Sequence, residues 1–177
     1  MLVSTSKPQS GFTIIELAVV VAVLGILVTI AVPSFRAMMF NSQVRNAAES
    51  IANGLQKARG EAVARNRNIE FALGTNSSWT VQLAGGAVIE SRDASEGSKD
   101  VTRTALATDL TTEATIVTFN GLGGVVANAG ATPPPTMVRV NLTATGATKS
   151  LRVTIGPGGN ARLCDPGLAS GSSPRAC

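Results

Sequence analysis

The 177-residue chain contains no histidine and no tyrosine. The commonest general base and the commonest nitrogen ligand for metals are therefore missing. Aromatic side chains make up 3% of residues, so any core must be built from Val, Ile, Leu and Ala. None follows Phe119, which leaves the C-terminal region without a platform for base stacking. There is no Walker loop, no CxxC and no G-x-S-x-G. The segment Gly156-Pro157-Gly158-Gly159-Asn160-Ala161 matches G-x-G-x-x-A by letters. It holds a proline and leads toward a strand rather than a helix, so it is not a dinucleotide site. No enzyme, no cofactor and no metal site is expected.

One further absence is informative. From Leu17 to Phe35 there are 19 residues without an ionisable side chain, enough to cross a bilayer core as a helix. Just ahead stands Glu16. A carboxylate in the first turn of such a helix is costly in lipid, which points to a partner and a role. An ordinary signal peptide is cut after its apolar segment, at small residues. No such site follows here, and Val32-Pro33-Ser34-Phe35-Arg36 reads as continuing helix. The short polar leader before Gly11 carries one positive charge, Lys7, which favours holding it on the cytoplasmic side. The plain alternative is a transmembrane anchor with an incidental glutamate.

Gly11-Phe12-Thr13-Ile14-Ile15-Glu16-Leu17, followed by an apolar helix with Pro33, resembles the class III signal of type IV prepilins and type II secretion pseudopilins. The resemblance implies that prepilin peptidase cuts after Gly11, that Phe12 is then N-methylated, and that Glu16 neutralises the α-amine of a neighbouring subunit during assembly. Such a cut places the amine and the carboxylate four residues apart. Pairing them between subunits offsets two charges that are costly when unpaired in lipid or packed helices, and sets an axial register.

Beyond the anchor there is room for one small domain. Val44, Ala48, Ile51, Leu55, Ala58 and Ala62 are spaced 4, 3, 4, 3, 4, one stripe on a helix. Arg45/Glu49, Lys57/Glu61 and Glu61/Arg65 form i,i+4 pairs off that stripe. One helix is expected from Phe12 to about Asn66, about 80 Å at the standard rise, kinked at Pro33, with Gly25, Gly54 and Gly60 as soft points. Strands are expected at 69–73, 79–83, 88–90, 116–119, 137–143, 151–155 and 161–164. Val138, Val140 and Leu142 alternate with Arg139, Asn141 and Thr143, the period of a half-buried strand. Glycine-rich or proline-rich turns separate these runs, and the polar stretch from Arg92 to Thr104 reads as an exposed loop. The fold is thus α+β, with the helical stripe covering an antiparallel sheet and Trp79 in the core. The expected organisation is a leader at 1–11, a membrane and filament-core helix at 12–35, and a periplasmic or extracellular head at 36–177. The head comprises helix 36–66 and a β-rich region 67–177.

Leu55-Gln56-Lys57-Ala58-Arg59-Gly60-Glu61-Ala62-Val63 resembles the helix-end signature of GspH/FimT-type minor pilins, and the segments 119–121 and 159–164 resemble their β-rich head. Gly60 departs from the small polar residue usual there. The family resemblance implies a type IV pilin-like fold and a structural role. It also implies other pilins, prepilin peptidase and the inner membrane as partners, with final residence in a pilus at the cell surface. A type II secretion pseudopilin is the alternative machine.

Outside the cytoplasm Cys164 and Cys177 would pair, adding on the order of 3 kcal/mol in the chain-entropy model and pinning the tail between them; two free thiols are the alternative. Charge is uneven. Phe12 to Glu113 carries nine basic and ten acidic side chains, whereas Ala114 to Cys177 carries Arg139, Lys149, Arg152, Arg162 and Arg175 against Asp165 alone. Strand alternation puts Arg139 and Arg152 on the face away from their apolar neighbours, with Arg162 able to join them. Such a cluster suits phosphates; a solvated face or a contact to the next pilin is the plainer reading. DNA-uptake members of the FimT group carry Gly-Arg-x-Arg. Here Gly159-Asn160-Ala161-Arg162 keeps only the second arginine, which weighs against dedicated DNA binding.

Overall fold

The computed structural model describes residues 11–177; the rest of the leader, including Lys7, lies outside them. One helix, α1, runs Ile14–Arg65 and continues through Pro33. The chain divides into two compact units, Met1–Arg36 and Ala37–Cys177.

In the first unit α1 is apolar on every side. Leu17, Val19, Val21, Leu24, Ile26 and Ile30 are all exposed, so this segment has no polar face to turn toward water.

In the second unit α1 is amphipathic. Val44, Ala48, Ile51, Leu55, Ala58 and Ala62 are buried, and Ala47, Ser50 and Gly54 widen the stripe. Nine strands follow: β1 (Ile69–Leu73), β2 (Trp79–Leu83), β3 (Val88–Arg92), β4 (Val101–Leu106), β5 (Ile116–Phe119), β6 (Val125–Val126), β7 (Arg139–Ala144), β8 (Leu151–Ile155) and β9 (Ala161–Cys164). All named strand pairings are antiparallel. They form two sheets rather than one, in the orders β3-β2-β1-β5-β6 and β4-β7-β8-β9. The helical stripe and the inner faces of both sheets share one core, with Phe71, Phe119, Ile51 and Leu55 among its largest fully buried side chains.

Two expectations need correction. The stretch from Arg92 to Thr104 is not all loop, because β3 runs through Arg92 and β4 starts at Val101. Val101 and Ala105 face inward and are buried. Arg103 occupies the inward position between them and so hid the alternation. It reaches past the core, donating from Nε to the Gly74 carbonyl at 2.9 Å and pairing with Glu113 at 2.8 Å. Gly54 is likewise a contact point rather than a soft point. A Cβ there would lie 2.8 Å from the Phe71 ring and 3.0 Å from the Trp79 indole. These two rings stack with centroids 5.8 Å apart, and Trp79 Nε1 donates to Ser50 Oγ at 2.8 Å. Gly54→Ala is therefore expected to destabilise the head by about 1–3 kcal/mol through overpacking, despite alanine's better helix propensity. Thermal unfolding of the variant measures this, and an unchanged or raised Tm would show that the rings yield freely.

Candidate functional site

Three regions carry functional signals. The first is the start of α1. Gly11, Phe12 and Thr13 precede the helix, and Phe12 is 90% exposed. Thr13 Oγ1 accepts from the Glu16 backbone N–H at 3.2 Å, and Glu16 Oε2 accepts from the Thr13 N–H at 3.5 Å. This is a capping box, in which two residues satisfy each other's orphan donors at a helix N-terminus. The T-x-x-E spacing of this box is present in the sequence at Thr13 and Glu16. Glu16 thus has an intrachain partner in the Thr13 N–H, and its carboxylate sits where the helix dipole favours an anion. The α-amine that a cut after Gly11 would create arises one residue before this box. The helix that follows is long and apolar enough to cross a membrane.

The second region is the outer face of the β4-β7-β8-β9 sheet. The ladder sets Arg139 opposite Thr154, Asn141 opposite Arg152, and Thr154 opposite Arg162. All five residues therefore point away from the core, while Val140, Leu142 and Val153 are buried beneath. Arg139 and Arg152 are half-buried and Arg162 is exposed. Arg152 Nε donates to Asn141 Oδ1 at 2.7 Å. Burial, then the neighbouring Arg139, holds the Arg152 guanidinium below its ordinary pKa. Lys149 lies apart, exposed in the β7–β8 turn, and Arg175 is exposed in the C-terminal tail. The other three basic residues are thus dispersed around the Arg139–Arg152 pair.

The third region is the tail. Cys164 and Cys177 are joined by a disulfide across a sequence separation of 13 residues. Arg162 assists the closure: its guanidinium donates to the Pro174 and Ala176 carbonyls, both at 2.9 Å. The Asp165 N–H donates to the Arg175 carbonyl at 2.7 Å. Arg162 is thus bound to its own chain, a use that its sequence context did not reveal. Replacing both cysteines with serine is expected to cost about 3 kcal/mol by the loop-entropy relation. It should also open residues 165–176 to protease first, read by limited proteolysis and mass spectrometry; a tail still protected would mean that Arg162 alone suffices.

Beside α1, two turns interlock. Asn120 Oδ1 accepts from the Leu122 and Gly124 N–H groups, both at 3.0 Å. Arg59 Nε donates to the Gly123 carbonyl at 3.0 Å, and the Val125 N–H donates to the Pro157 carbonyl at 2.9 Å. The 119–124 and 156–160 segments are thereby fixed to the helix. No group of three or more His, Cys, Asp or Glu able to hold a metal occurs among the described residues.

The chain belongs to the GspH family, described as Type II transport protein GspH, matched over residues 47–159, and residues 6–32 match the prokaryotic N-terminal methylation motif. It is 29% identical over 107 residues to a fimbrial protein of Pseudomonas aeruginosa, covering 55% of this chain and 69% of that protein. The crystal structure of the type IV minor pilin FimU of Pseudomonas aeruginosa is similar in fold, with a TM-score of 0.51, 22% identity, and coverage of 76% of this chain and 94% of FimU. The minor pseudopilin EpsH of the Vibrio cholerae type 2 secretion system aligns with a TM-score of 0.49 and 14% identity over 71% of this chain and 99% of EpsH.

Proposed function

We propose that this chain is a structural minor pilin of a type IV pilus. It is clipped after Gly11 by prepilin peptidase, methylated on Phe12, held in the inner membrane by residues 12–35, and then built into a filament beside other pilins. The single observation that carries the reading is the helix segment apolar on every side and headed by the Thr13/Glu16 box. In water that surface would drive aggregation; in a membrane, or against sister helices, it is satisfied. The work of the chain is packing and register rather than chemistry.

The family's description favours a second reading, a pseudopilin of a type II secretion system. The fimbrial relative and the clamped Gly/Ser-rich tail favour the pilus. Nucleic acid is the weakest of the partners, since Arg162 is engaged with the tail and no aromatic residue follows Phe119. Gene deletion separates the machines. Loss of surface pili and of twitching with normal protein secretion supports the pilus; lost secretion with intact pili refutes it.

A further inference from the structure

Arg139 and Arg152 are diagonal neighbours on adjacent strands. Neither takes part in an ion pair among the described residues. The outer-face positions around them, Thr104, Leu106, Asn141, Thr154 and Cys164, include no acid, and Glu113, which bridges Leu106 beyond, is paired with Arg103. Arg152 has Asn141 as a neutral acceptor, but Arg139 Nε is buried and has no hydrogen-bond partner among the described residues. Two like charges in partial burial repel, and a buried donor without an acceptor costs its full desolvation. Among the described residues no acid on this face offsets the repulsion. A bound anion facing the two half-buried guanidinium groups would offset the repulsion by neutralising the pair.

We infer that Arg139 and Arg152 form a receptor for one carboxylate on the head of a neighbouring pilin subunit, an inference that rests on the pilin reading above. A planar carboxylate fits the fork of a guanidinium, and a side chain can reach a recessed pair as a single projecting group. A nucleic-acid backbone presents a row of phosphates and calls for a row of free cations. Here the next arginine along the face, Arg162, is turned to the tail carbonyls.

The test uses the full chain in detergent micelles with two labelled probes at equal ionic strength, an oligoglutamate peptide and a short DNA duplex. The Arg139→Gln/Arg152→Gln double variant is expected to bind oligoglutamate about tenfold more weakly. Its Tm should be unchanged or raised, since a repulsive pair has gone, and Arg152→Lys, which keeps charge without the fork, should fall between. Undiminished oligoglutamate binding overturns the inference. So does duplex DNA binding more tightly than the peptide and being the probe that is lost. In cells, the double variant should restore piliation to a deletion strain poorly while the wild type restores it fully. Equal rescue by both defeats the receptor and leaves the pilin reading standing. A deletion strain with normal pili defeats the pilin reading, whereas the peptide result stands by itself.

Discussion

Glu16→Ala is expected to leave a protein that is still clipped after Gly11 and still held in the membrane, but that enters filaments about two orders of magnitude less well. The argument is electrostatic. On the proposed reading, clipping would create an amine on Phe12, and packing among apolar helices would remove both that amine and the Glu16 carboxylate from water. Breaking such a pair by removing one partner costs about 3–5 kcal/mol, because the other charge stays uncompensated, and each 1.4 kcal/mol is tenfold in an equilibrium. The capping box adds a second role that has to be separated from the first. Loss of the cap alone costs only about 1 kcal/mol. Glu16→Gln keeps an acceptor for the Thr13 N–H and can complete the box, but carries no charge. Filament incorporation measured by immunoblot of sheared pili should therefore be as poor for Glu16→Gln as for Glu16→Ala. If glutamine restores assembly, the cap is what matters and the intersubunit pair is wrong.

Gly159→Ala is expected to be the most damaging single-methyl addition in the head. Gly159 has φ +76°, a conformation that alanine adopts only at a cost of about 1–2 kcal/mol. Its added Cβ would collide with the Gly123 backbone carbonyl and lie 3.2 Å from Arg59 Cδ and Nε. A carbonyl held in an interlocked turn cannot swing aside as a flexible side chain can. The Arg59–Gly123 hydrogen bond would be lost with it. A total of about 3 kcal/mol lowers Tm by about 10 °C for a domain of this size. Gly158→Ala is the control. It has no positive φ, and its nearest neighbour, Asn160 Oδ1, is 3.9 Å away, so its effect should stay within about 0.5 kcal/mol. Similar melting curves for the two variants would mean that the interlock carries no load.

The long helix, its buried stripe and most strands were legible because their periods are clean. Val44 to Ala62 repeats at helical spacing, and Val138 to Leu142 alternates strictly. What escaped was whatever broke a period for a local reason. Arg103 stands at an inward position with a side chain long enough to reach a carbonyl in the β1–β2 turn, so β4 read as loop. The two-residue β6 is too short for any period. The division into two sheets follows from which strands meet, and strand pairing over long sequence separations leaves no local trace. At the site, the residue types were legible and their employment was not. Arg162 read as a free cation because the tail that occupies it returns from more than ten residues away. The neighbourhood of Arg139 and Arg152 followed from alternation alone, whereas the orphan Nε became visible only once the side chains were placed.

The order in which the chain visits its two sheets has a mechanical consequence. It lays β1 to β3 in one, crosses to lay β4 in the other, returns for β5 and β6, and crosses again for β7 to β9. Neither sheet is completed from a continuous stretch of sequence, and both share one core with the helix, so the two are expected to melt together. In the proposed filament, a subunit under tension is therefore expected to hold or fail as a whole rather than yield by halves.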